Sequence, residues 1–365
     1  MKLSKSTRDR LTAWWEHRPT GRPCILATSP CGDAGPAPAP DDYWTKPELL
    51  ADCVLARQRA VRFWGEAMPF LYMDYGAPAM ALQMGAKASW TSIETLWADP
   101  CVETADEVAA LRPGGYWKEV QDRAIREGIS RCGGSAMLAS YCLGASADTT
   151  AALMGSENLL CALIEDEEGV KRAFEAVKRI MIDAFSALAA QCEQGGTQLT
   201  GWHGIWSPGA TTAIQEDFSY MIGADMFDEF CLPHIRDMVD AVPYAFYHLD
   251  GAQALRHLPS LCKIPNLRVI QWQPGDGHSA ILQWTDVIRT ILDSGKSCQI
   301  YARPEEVEPL VREVGGDGLM VITWGSEEEI SRLAERFDLD SRGFEPPADA
   351  ESFHPCLLYT SPSPR

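Results

Sequence analysis

A histidine and an aspartate two residues apart, His248 and Asp250, close the stretch Tyr244-Ala-Phe-Tyr-His-Leu-Asp-Gly251. The stretch is apolar, aromatic and of strand type, and residues i and i+2 of a strand project to the same side. An imidazole and a carboxylate presented together can act as an acid–base pair or as two ligands of a metal ion. They can equally form a structural pair that pins the glycine turn. Other strand-type segments end in related chemistry: Asp74, Trp202 with His203, Gln271 with Trp272, Tyr301 with Arg303, and Trp324. Asp217, in Gln215-Glu-Asp-Phe, stands where a helix begins, which suits a site carboxylate or an N-cap.

The expected catalytic set is therefore His248, Asp250, Asp217 and Asp74. Trp202, His203, Gln271, Trp272 and Arg303 are expected to bind a small-molecule substrate. Zinc suits His248 and Asp250, because imidazole nitrogen and carboxylate oxygen are both acceptable ligands and a three-ligand site keeps a position open. The sequence does not supply a clear third ligand. No GxGxxG, GxxxxGK[ST] or GxSxG occurs, so dinucleotide, P-loop and serine-hydrolase chemistries lack their usual marks.

Such residues need a scaffold that gathers strand ends. Strand-type runs fall at 22–28, 70–76, 135–144, 197–204, 244–251, 267–272, 298–302 and 319–323, nearly all followed by helical periodicity. An N-terminal helix over 7–17 carries Leu11, Trp14 and Trp15 on one face. A second helix spans 46–63, and 86–100 forms a short hairpin or extended excursion. Eight strand–helix units predict a single (β/α)₈ TIM barrel with an N-terminal helix and a short insertion after strand 2. A doubly wound open sheet is the alternative, but it would concentrate its site at one switch point. The barrel occupies 1–340. Residues 341–365 read as an irregular tail, whose last ten residues resemble translated adapter sequence rather than native chain.

Composition narrows the function classes. The 365 residues carry a formal net charge of −19, which argues against nucleic acid or an anionic membrane as a partner. No window supplies the run of apolar residues a membrane helix needs, and the N-terminus has no signal-peptide pattern. Twelve cysteines without CxxC or regular spacing read as reduced thiols in a cytoplasmic protein.

The segments 144–160, Gln215-Glu-Asp-Phe-Ser-Tyr-Met-Ile, Met226-Phe-Asp-Glu-Phe, Tyr247-His-Leu-Asp-Gly251 and Ile270-Gln-Trp-Gln-Pro-Gly275 resemble the uroporphyrinogen decarboxylase superfamily over roughly 22–337. The resemblance implies a single (β/α)₈ barrel and one of two activities: porphyrinogen decarboxylation or corrinoid-linked methyl transfer. Decarboxylases of that superfamily carry an Arg-Gln-Ala-Gly-Arg-Tyr type segment after the first strand, and here the place reads Thr28-Ser-Pro-Cys-Gly-Asp33. A substrate with eight carboxylates would lose its charge-assisted clamps. The methyltransferases resemble the chain more closely at the fifth strand, where theirs is His-x-Cys with a second Cys at strand eight. Here Asp250 replaces the first Cys and Thr323-Trp-Gly the second, so a thiolate-rich zinc site gives way to a harder one. The resemblance thus implies a methyltransferase working with a corrinoid carried by a partner protein. The alternatives are a porphyrinogen decarboxylase or a non-catalytic binding barrel.

Overall fold

A computed structural model describes residues 2–341 apart from Asp276, His278 and Ser279, together with Phe344 and Glu345. Residues 356–365 lie outside the described residues. Strand alternation organises the molecule. In Phe246–Asp250 the residues Tyr247 and Leu249 join Ile270, Trp272, Cys298 and Ile300 in a large core between sheet and helices. Phe246 points the other way, into a smaller core shared with Cys24, Leu26, Phe70, Met137, Val269 and Met320. These residues come from strands of two sheets, so both sheets face one interior.

The larger sheet has seven strands. In spatial order they are Val61–Gly65, Cys24–Pro30, Leu319–Trp324, Ser297–Tyr301, Val269–Gln273, Phe246–Asp250 and Ala213–Gln215. All pairings are parallel except that of Val61–Gly65 with Cys24–Pro30. The smaller sheet runs Phe70–Tyr72, Met137–Ala139, Leu199–Thr200, also parallel. Among the described residues the two sheets are not joined by a strand ladder, although Thr211 N–H donates to Leu199 O at 3.4 Å across one junction. The molecule is thus a mixed α/β fold with a mainly parallel sheet and many helices, consistent with a TIM-like fold.

One expectation is corrected and one strand is added. The helix expected over 46–63 ends at Arg59, and Val61–Gly65 is an antiparallel strand. Its alternation of buried Val61 and Phe63 with exposed Arg62 has the period of a strand, which the helical count absorbed. Gly65 closes that strand at φ 65°, where a Cβ would stand 2.2 Å from Ile25 O. The short strand Ala213–Gln215 is the addition. The hairpin is present as Lys87–Trp90 paired with Leu96–Asp99.

The N-terminal helix, Lys5–Trp15, is capped by the Ser4 hydroxyl, which accepts from Thr7 N–H. Its fully buried Trp14 donates from the indole to Gly318 O at 2.9 Å, and Trp15 donates to Trp206 O at 2.7 Å. Ser297 Oγ in turn donates to Trp14 O. Gly318 and Ser297 stand at the start of their strands, so this helix covers the N-terminal end of the sheet. The opposite end is left for chemistry. No helix among the described residues is long and apolar enough to cross a membrane.

Candidate functional site

His248 and Asp250 project from the C-terminal half of their strand, and Asp217 opens the 3-10 turn Asp217–Met221 beside it. One ligand atom from each of the three lies within 4.8 Å of the others. His248 Nε2 is 3.9 Å from Asp250 Oδ2, too far for a hydrogen bond and suited to an ion between them.

Three glutamines hold these groups, placed by strand register. His248 is opposite Gln215 on one side and Gln271 on the other, and Gln271 is opposite Gln299. Gln271 Nε2 donates to Gln299 Oε1, which turns Gln271 Oε1 toward His248 Nδ1. A carbonyl oxygen accepts only, so in the neutral imidazole the proton sits on Nδ1 and Nε2 keeps its lone pair. Gln215 Nε2 donates to Asp217 Oδ2 at 3.0 Å, while its Oε1 accepts from Trp202 Nε1 at 3.1 Å and from the Cys142 thiol at 3.4 Å. Trp202 also packs edge-to-face on His248, with ring centroids 5.1 Å apart.

Behind the three stand two further carboxylates that spacing does not mark. Asp148 accepts from the backbone N–H groups of Asp217 at 3.0 Å and Phe218 at 2.7 Å. Its own N–H donates to Glu216 Oε1 at 2.8 Å, and Glu216 Oε2, buried, has no partner among the described residues. No lysine or arginine among the described residues forms a salt bridge with Asp148, Glu216 or Asp217. Burial, and then the charges of Asp217 and Glu216, push the Asp148 carboxyl well up. Burial likewise raises Glu216, to about 8, against the opposing pull of the N–H groups it accepts from. The sole sequence trace of both residues is their presence in the segments that carry the family resemblance.

The other expected site residues divide. Asp74 accepts from Gly76 N–H at 2.7 Å, and burial raises its carboxyl. With Asp217 and Asp148 its charge adds to the burial that raises the Cys142 thiol. His203 is buried, its ring 4.3 Å from that of Phe246, and its Nδ1 accepts from Ile205 N–H at 3.1 Å. Burial lowers its pKa to about 3. Trp272 faces the helices, packing on Trp284 at 5.2 Å, because it is one residue from the inward Gln271. Arg303 is exposed and paired with Glu305 and Glu306, each at 3.2 Å. Neither Trp272 nor Arg303 reaches the His248 group.

His203 lines a cavity that opens to solvent. Leu26, Phe63, Met68, Phe70 and Ile322 supply apolar walls, and Tyr301 and Trp324 stand at strand ends on its rim. His248, Gln271 and Asp74 are not part of that lining. Trp202 is the link: its ring lies 6.1 Å from that of His203 and 5.1 Å from that of His248.

The fold is that of a known structure, a methyltransferase from Methanosarcina mazei, with a TM-score of 0.64 over 91% of this chain and 98% of that one. The two sequences are 13% identical, a level at which the likeness is one of fold. No family model matches the chain. No curated protein matches it either.

Proposed function

We propose that this protein is a methyl-transfer enzyme built on a (β/α)₈ barrel of the uroporphyrinogen decarboxylase type. It works with a corrinoid carried by a partner protein, and Asp217, His248 and Asp250 hold a zinc ion. The observation that carries the reading is the convergence of three ligand atoms within 4.8 Å, with His248 Nε2 left bare by the Gln271 contact. One nitrogen and two carboxylate oxygens suit zinc and leave a coordination position open. When bound, zinc supplies Lewis-acid polarisation of an oxygen or nitrogen atom of the substrate.

The chain's own residues orient and shield. Gln271 fixes the tautomer of His248, Gln215 fixes Asp217, and Trp202 covers the imidazole while holding Gln215 in place. Such outer contacts set ligand geometry and basicity. The fold likeness to a methyltransferase supports methyl transfer over other barrel chemistries. Free cysteines throughout the described chain support a reducing, cytoplasmic compartment. Porphyrinogen decarboxylation is the weaker reading, since 28–33 lacks arginine and the cavity lining bears no arginine or lysine.

The test is elemental analysis of purified protein with methylcobalamin absorbance followed on mixing. About one zinc per chain, lost in Asp217→Asn, together with a change in the corrinoid spectrum, is expected. Metal-free protein that does not take up added zinc would sink the metal site, and a spectrum unchanged with every methyl acceptor tried would sink the corrinoid link.

A further inference from the structure

We propose that the cavity beside His203 binds an uncharged, largely apolar small molecule, the body of a substrate whose reacting end meets Asp217, His248 and Asp250. Its role as substrate rests on the methyl-transfer reading above; the binding itself does not.

The lining decides the ligand's charge. Among the described residues no Asp, Glu, Lys or Arg contributes to the cavity wall. The one titratable imidazole is held neutral, because burial lowers the pKa of His203 to about 3 and Ile205 N–H occupies its Nδ1 lone pair. A charged guest would leave water and meet no counter-charge, a transfer that burial penalises heavily. Neutral apolar surface meets no such cost and gains from leaving water. Thr28 and Tyr301 supply hydroxyls for one or two polar substituents. A small number of polar groups in an apolar wall is the usual make-up of a small-molecule pocket.

The cavity is built into the fold. Gly204 holds φ 63°, and a Cβ there would stand 2.3 Å from the Phe70 ring, so only glycine allows Phe70 to form the cavity wall. Trp324, partly exposed, and Tyr301 meet edge-to-face at 6.1 Å on the rim. Both lie at the C-terminal ends of their strands, the same end that carries His248 and Asp250. Trp202 stands between the two regions, its ring 6.1 Å from that of His203 in the cavity wall and 5.1 Å from that of His248.

The test uses the full chain and three probes of similar size: anisole, benzoate and benzylamine. Binding is read by calorimetry and by tryptophan fluorescence, with zinc per chain measured in parallel. Anisole is expected to bind saturably, and each charged probe at least about tenfold more weakly. Ala67→Phe and Ile322→Phe, which fill the cavity from two sides, are each expected to weaken anisole at least about tenfold with zinc content unchanged. Using both guards against one variant failing to fold. No saturable anisole binding, equal or tighter binding of a charged probe, or anisole binding indifferent to both folded variants would each overturn the proposal. Anisole binding in protein that takes up no zinc would remove the metal reading and leave the cavity proposal standing.

Discussion

Two buried acidic regions at opposite ends of the strands differ in how their charge is met. Glu66, beside the N-terminal end of Cys24–Pro30, is almost wholly buried. Its Oε1 accepts from Arg10 at 2.9 Å and Arg22 at 2.8 Å, and its Oε2 from Arg22 at 3.1 Å and Ile25 N–H at 2.8 Å. Asp148, Glu216 and Asp217, beside the C-terminal ends, meet N–H groups, one glutamine amide and, between Asp148 and Glu216, each other, with no lysine or arginine in a salt bridge to them among the described residues. A buried carboxylate with two guanidinium partners is a finished structural unit. Carboxylates gathered without a cation are costly in isolation and mark a place where something positive or a proton is meant to bind.

The largest effect that tests this contrast is on stability. Glu66→Gln leaves two partly buried guanidinium groups facing a neutral amide, and should cost about 3–5 kcal/mol in denaturant unfolding, without altering zinc content. Asp217→Asn should do the reverse, relieving repulsion and leaving metal-free stability unchanged or higher while abolishing zinc uptake. Equal destabilisation by the two would erase the distinction.

Next in size is catalysis. His248→Ala should lower turnover about a hundredfold or more, the loss expected for a ligand or positioned proton-transfer group, with little change in melting temperature. A folded variant that kept its activity while losing stability would make His248 and Asp250 the structural pair.

The regions also separate by pH. In metal-free protein the folded Glu216 carboxyl is raised from its ordinary 4.5 to about 8. The folded state therefore holds a proton that the unfolded chain releases. Its stabilisation is complete below pH 4.5 and is lost as pH rises through 8. Unfolding free energy should fall by on the order of 5 kcal/mol across that window, and Glu216→Gln should flatten the profile. A slope unchanged by the substitution would refute the assignment.

The smallest effect concerns the amide that holds the imidazole. Gln271→Met keeps the volume but removes the acceptor at His248 Nδ1, and should weaken zinc binding by about 10- to 100-fold. Nitrogen-15 shifts of His248 should change from a single Nδ1–H tautomer to a mixture. A tautomer that persists in the variant would mean that Gln271 does not set it.

The pairing of His248 with Asp250 followed from local chain geometry, since alternate residues of a strand share a face whatever packs around them. The same rule excludes Trp272 from the face of Gln271. Period and punctuation likewise placed the N-terminal helix, the hairpin and most strands, because each depends on neighbours within a few residues. The closeness of Asp217 to Asp148, 69 positions apart, had no such local signal. Nor did the row His248, Gln271, Gln299, which exists only through the register of three strands. Phe63 belonged by count to a helix and by contact to an antiparallel strand, a choice made by pairing with Thr28 rather than by propensity. Burial decided the chemistry in the same way. Composition marks Glu216 as an ordinary carboxylate and His203 as an ordinary imidazole, and the exclusion of water by the surrounding chain is what keeps a proton on the first and off the second.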